Sequence, residues 1–339
     1  MTPIAPHITA YLQQRLPRER NASPNTCESY AYALQLLFEY ASQSLKVAPS
    51  ALSLEQLDAA LILNFLTWLE ESRGNAISSR NIRLAAIKAF MHFMELRTPS
   101  ALEQIRRILE IPAKKTESRL VKHLTREEMQ ALLNAPNPAK RDGIRDRAML
   151  HLCFAGGLRV SELIGVQLED LKLHPQLSVL IHGKGRRQRC QPLWKETAAA
   201  VRAWLAIRGT SSVPELFFNA RGQTMSRSGF EYILDKHIEM AAQRCPSLST
   251  KNVSPHSLRH SCALNILQST KDIRKVSLWL GHASIQTTEI YTRVDPSAKL
   301  ETLESVIAPE LRAGRFKATD KLLAAIKQRT FMQSKRPSK

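Results

Sequence analysis

Ser178-Val-Leu-Ile-His182, the glycine-flanked tip Gly183-Lys-Gly185 and the return run Arg187-Gln-Arg-Cys-Gln-Pro192 form the one clear β signal in a chain that otherwise reads as helix. Two extended runs joined by a turn that glycine makes easily predict a small antiparallel hairpin with Lys184 near its tip. On either side the apolar spacing is helical. Helices are expected over 146–154, from Arg159 through Leu163 after the break at Gly156-Gly157, and over 197–208, 226–243, 254–268, 272–280 and 284–293. The second half of the chain is thus mainly α, with one small antiparallel β-sheet.

Upstream there is almost no strand signal. Tyr30, Leu34, Leu37 and Phe38, then Leu57, Leu61, Phe65 and Leu69, then Ile82, Ala86, Phe90 and Phe93 repeat at helical spacing. Breakers at Ser23-Pro-Asn25, Ala48-Pro-Ser50, Arg73-Gly-Asn75 and Thr98-Pro-Ser100 divide them, so residues 1–111 predict a bundle of four or five short helices. The polar, basic run 112–119 reads as an exposed linker. Past it, Thr125-Arg-Glu-Glu128 has the form of a capping box that opens a second unit over 120–308, with Met129, Leu132 and Leu133 on the apolar face. Residues 309–339 hold one more amphipathic segment, with Leu311, Leu322 and Leu323, and a basic tail.

A length of 339 residues suits two cores, and a formal charge of +19 indicates a polyanionic partner, nucleic acid before all others. Arg80, Arg83 and Lys88 in the first unit and Arg186 and Arg187 on the hairpin are the candidate backbone contacts. Any one of them alone is an ordinary solvated cation. No apolar stretch approaches the roughly 20 residues of a membrane span, and the start of the chain lacks the pattern of a signal peptide. The chain therefore reads as cytoplasmic. Five cysteines without paired spacing indicate neither a disulfide framework nor a zinc ribbon. His256 and His260 stand at a metal-compatible i, i+4 spacing, but Arg259 lies between them and no glutamate completes a metalloprotease signature, so no metal is expected.

Several short motifs carry chemistry. Ser254-Pro255 reads as a helix start, which puts His256 and Arg259 on one face near the positive end of the helix dipole, where an anion is favoured. Arg159 follows two glycines, with Glu162 three residues on to orient it. Gly281-His282 precedes Tyr291, a phenol that could serve as a nucleophile. Each has a bland reading: a capped helix with a snorkelling arginine, a helix pair worth about 0.2–0.5 kcal/mol, a plain turn, a packing tyrosine.

Their order is far more specific than any member. Gly156-Gly-Leu-Arg-Val-Ser-Glu-Leu163, Gly183-Lys-Gly185, His256-Ser-Leu-Arg-His260, Leu280-Gly-His282 and Thr288-Glu-Ile-Tyr291 together resemble the tyrosine recombinase (phage integrase) family, in particular its Xer-type site-specific recombinases. The resemblance spans nearly the whole chain. It implies an N-terminal SAM-like helical bundle that binds the DNA core site, over 1–111, and a catalytic domain over 120–308.

Residue by residue, the resemblance implies that Tyr291 attacks the scissile phosphate and forms a 3′-phosphotyrosyl link, and that Arg159 and Arg259 bind the non-bridging oxygens. Lys184 would protonate the departing 5′ oxygen, His256 would take part in acid–base work on the nucleophile, His282 would donate to the phosphate and Glu162 would support the first arginine. Because the covalent link conserves the energy of the diester, no ATP loop is required, and with three cations no cofactor is expected. The resemblance further implies a homotetramer on two double-stranded DNA sites, strand exchange through a Holliday junction, and a C-terminal helix passed between subunits. Gly156 stands where many members have Thr, and Cys262 where a larger apolar residue is common. A type IB topoisomerase-like relaxase and a catalytically silent DNA-binding accessory protein are the alternatives.

Overall fold

The computed structural model describes residues 2–116, 121–174, 176–183, 187–282 and 284–292. Lys184, Arg186 and the C-terminal segment from 309 onward lie outside them. The chain divides into two compact units, Met1–Arg119 and Leu120–Lys339.

The first unit is a helical bundle: α1 (Ala5–Ala10) running on into π-helical turns (Tyr11–Glu19), α2 (Pro24–Leu45), α3 (Ala59–Glu71), α4 (Ile77–Glu95) and α5 (Leu102–Leu109). Ser23 caps α2 by accepting from the Thr26 amide, with Pro24 in the first turn where its missing N–H costs nothing. Asp58 does the same for α3 through Leu61. The core gathers Leu34 and Leu37 of α2, Phe65 and Leu69 of α3 and Phe90 of α4, with Tyr11 packed edge-on to Phe90 at 5.3 Å.

Two expectations for this unit need correction. Ile82 is half exposed; α4 buries Leu84, Ile87, Met91 and Met94 beside Ala86, Phe90 and Phe93. Arg80, expected on a DNA-facing surface, is buried at 4% exposure, because Glu70 of α3 lies 3.4 Å from its Nε and the Pro112 carbonyl accepts from Nη1. That same contact ties down the start of the expected linker. Asn81 holds both the amide and the carbonyl of Lys114, at 3.0 and 2.8 Å, and the Lys114 ammonium reaches Glu70. Arg83 lies 4.8 Å over the Tyr32 ring and is partly buried, as is Lys88.

The second unit comprises α6 (Arg126–Leu133), α7 (Arg141–Ala155), α8 (Val160–Ile164), three strands, α9 (Lys195–Arg208), α10 (Arg227–Ala242), α11 (Pro255–Thr270) and α12 (Ile273–Leu280). The capping box of α6 is formed as expected, with Thr125 accepting from the Glu128 amide and Glu128 from the Thr125 amide. The hairpin is present as β2 (Ser178–His182) and β3 (Gln188–Pro192), antiparallel, with Leu180 opposite Cys190. A short strand the sequence did not signal, β1 (Leu171–Lys172), pairs with β2 and completes the order β1-β2-β3. Helix α11 is buried on most sides, through Leu258, Cys262, Ala263, Leu264 and Ile266, and so lies inside the unit. In place of the helix expected over 284–293 there are two 3₁₀ turns, Ile285–Thr287 and Glu289–Tyr291. Ser284 captures the Gln286 amide at 3.2 Å, and the β-branched pair Thr287-Thr288 follows, so the chain tightens before an α-helix can start.

A fully buried carboxylate, Asp146 of α7, fastens this unit. It accepts from Arg145 at 2.8 Å and bonds His237 of α10 at 2.9 Å. Burial pushes its pKa up, but the His237 hydrogen bond and the Arg145 charge outweigh burial and hold it below the usual carboxylate range. Asp146→Ala leaves the buried Arg145 only the exposed Asp142, 3.4 Å away, as counter-charge and should cost about 3–5 kcal/mol in denaturant unfolding. The depressed pKa gives stability that is present above the unfolded value, about 4, and lost as pH falls toward the folded one. The gap between wild type and variant should therefore narrow below about pH 4.

Candidate active site

Glu162 is the centre of the site. It sits in the first turn of α8, 6% exposed, and its oxygens accept from the backbone amide of Arg159 at 3.0 Å and from Arg159 Nη1 at 2.8 Å. The same carboxylate accepts from Arg189 of β3, at 2.8 Å to Oε2 and 3.3 Å to Oε1, while Arg259 Nη1 of α11 stands 3.9 Å away. Burial raises the Glu162 pKa, but the Arg189 hydrogen bond and charge and the Arg159 contacts more than reverse it, so Glu162 stays ionised. Three guanidinium groups against one carboxylate leave positive charge to spare.

The glycines beside these groups suit the backbone angle and sit in close packing. Gly157 has φ +56, and a Cβ there would come within 2.6 Å of Leu280; Gly281 has φ +64, and a Cβ there would meet Arg189 at 3.0 Å. Arg259 joins the two turns by donating to the carbonyls of Gly157 and Leu280. Burial, then the charge of Arg159, brings the Arg259 pKa down to about 10, so it remains a cation at neutral pH. His282, just past Gly281, bonds the buried Thr288 hydroxyl through Nδ1 at 2.8 Å. Burial and the surrounding arginines lower its pKa to about 4, which makes it a neutral hydrogen-bonding group.

Beside Glu162 opens a cleft of about 860 Å³ lined by Arg159, Arg187, Arg189, Arg274 and His282, with no acidic side chain among its described lining residues. Tyr291 does not line it. Its ring is 1% exposed among Cys262, Leu264, Leu267 and Leu280, and its hydroxyl bonds His260 Nδ1 at 2.9 Å. Burial pushes its pKa up to about 12 against the lowering charge of Arg259. His256 is exposed, its pKa lowered by partial burial and by Arg227, Arg259 and Arg159.

The structure thus brings Arg159, Glu162, Arg259 and His282 together and sets Tyr291 next to the same helix, α11, while Lys184 lies outside the described residues. Sequence reading missed Arg189, Arg274 and His260. Arg189 had one usable signal, its place in the return run five residues after Lys184 (189 − 184); His260 had none beyond being one turn from His256. Among the described residues no group of three or more His, Cys, Asp or Glu is placed to hold a metal ion, and no helix is long and apolar enough to cross a membrane.

The model of the phage integrase family matches residues 122–298. The chain belongs to that family. The phage integrase N-terminal SAM-like domain matches residues 8–98, so both units are accounted for. A putative integrase/recombinase of Sinorhizobium fredii, y4rC, is 39% identical over 95% of this chain and 97% of its own length. Tyrosine recombinase XerC of Pelobacter propionicus is 33% identical over 90% of this chain and 96% of its own. The XerH site-specific recombinase in a post-cleavage complex on its difH substrate shares the fold, with a TM-score of 0.65 over 87% of this chain and 83% of that one at 23% identity. Like its phage integrase relatives, the chain is a tyrosine recombinase, an enzyme that cleaves and rejoins DNA.

Proposed function

We propose that this phage integrase family member carries out site-specific recombination of double-stranded DNA with Tyr291 as nucleophile. The observation that carries the reading is the convergence of Arg159, Arg189 and Arg259 on the single buried carboxylate Glu162, beside a cleft whose described lining is basic. Such an arrangement is built for a phosphodiester. The arginines offer fixed donors to its non-bridging oxygens and neutralise the charge that grows as a fifth oxygen joins phosphorus. Positioned cations do this work without reorganisation at the moment of reaction.

In this reading the Tyr291 oxygen bonds to phosphorus, the 5′ oxygen leaves with a proton supplied by Lys184, and religation by a 5′-hydroxyl reverses both steps. Residues 1–111 hold the DNA core site, with Arg83 and Lys88 as backbone contacts, and Arg186 and Arg187 are further candidate DNA contacts. Four subunits assemble on two sites and pass through a Holliday junction. The test uses a nicked duplex selected from a random-sequence library by retention on the protein. The nick lets the cleaved fragment escape and so traps the intermediate. A covalent protein–DNA adduct, with the tryptic peptide containing Tyr291 carrying the nucleotide, is the expected result; DNA retention without any adduct would favour a silent binding protein.

A further inference from the structure

We propose that His260 is the base that receives the phenolic proton of Tyr291, an inference that rests on Tyr291 being the nucleophile. His260 Nδ1 lies 2.9 Å from the Tyr291 hydroxyl, with ring centroids 5.6 Å apart, whereas the His256 ring is a turn away, 6.3 Å from that of His260, and faces solvent. Contact with the reacting oxygen thus belongs to His260, within the distance a general base needs.

The protonation states agree with the geometry. With its pKa raised to about 12 the phenol is protonated at neutral pH and is the donor, so Nδ1 accepts and Nε2 carries the imidazole hydrogen. The charged and titratable groups around His260 are His256 and Arg259 on α11, His123 from the segment before α6, and Tyr291 itself. Burial, His256, Arg259 and His123 hold its pKa down at about 4, so it is neutral and able to accept. The resting phenol therefore keeps its proton until substrate arrives. The proton moves to Nδ1 as the oxygen–phosphorus bond forms and negative charge passes to the phosphate oxygens facing the arginines. The bond from phosphorus to the 5′ oxygen then breaks, and that oxygen takes its proton from a separate donor. Religation returns the proton from His260 to Tyr291. The imidazolium formed meanwhile sits beside Arg259, which favours its prompt discharge.

The experiment uses the full chain and the selected nicked duplex in two forms, one with an ordinary scissile phosphate and one with sulfur at the bridging 5′ position, whose thiolate leaves without a proton. His260→Ala and His260→Gln should each form adduct about 100-fold more slowly on both substrates, because sulfur relieves only the leaving group. Glutamine keeps a polar contact to the phenol but takes no proton, so its failure to rescue separates proton transfer from positioning. Rates within about threefold of wild type, or a loss that sulfur restores, overturn the inference. A measurement on the wild type covers variants that fail to fold: on the sulfur substrate, adduct formation should slow about two- to threefold in D₂O, and no slowing sinks the idea. No adduct from the wild type, or adduct from Tyr291→Phe, would instead overturn the underlying assignment of the nucleophile.

Discussion

Tyr291→Phe should leave a folded, DNA-binding protein that forms no covalent adduct and no recombinant. The ring belongs to the buried apolar cluster that also holds Cys262, Leu264, Leu267 and Leu280, and phenylalanine keeps its apolar bulk there. What disappears is one hydroxyl and its bond to His260, about 1 kcal/mol of stability. The chemical loss is of another order. With Tyr291 as the proposed nucleophile, attack from within the protein replaces a bimolecular encounter, and its removal should cost on the order of 10⁴-fold or more in cleavage, below detection on a denaturing gel. A melting curve and DNA retention within error of the wild type would show that only chemistry was lost. Adduct persisting in the variant would move attention to another phenol, and the exposed Tyr232 is the first to examine.

Arg259→Ala should be damaging twice over. Its guanidinium supplies charge near the cleft and donates to the carbonyls of Gly157 and Leu280. Losing a preorganised cation should slow adduct formation by about 10²–10³-fold. Stranding two buried carbonyls should cost about 1–3 kcal/mol each, a clear drop in melting temperature. Arg259→Lys keeps the charge without the planar fork that spans the two carbonyls, so it should remain slow. If the alanine variant melts lower yet cleaves at the wild-type rate, Arg259 is a structural tie and nothing more.

The ordered motifs made the family and the helical, two-unit plan readable before any coordinates. The hairpin at 178–192 and the capping box at Thr125 were equally plain, because turn glycines and reciprocal caps act within a few residues. What stayed hidden depends on partners far along the chain. Arg80 reads as one more cation until Glu70 and Pro112 are seen around it. Arg189 cannot be told from its basic neighbours in β3 until its fork meets Glu162, which lies on α8. His260 and His256 differ by a single helical turn, and only the fold shows which of them meets Tyr291.

The bond from His282 to Thr288 gives the segment that carries Tyr291 a fixed length. One end of the segment is an imidazole in an arginine-lined cleft and the other is a phenol bonded to His260, with the buried Thr288 hydroxyl fastened between them. Adding or deleting a residue between 282 and 291 would put one end or the other out of register. In engineering terms this stretch is a ruler: its surface residues can be exchanged, but its residue count cannot.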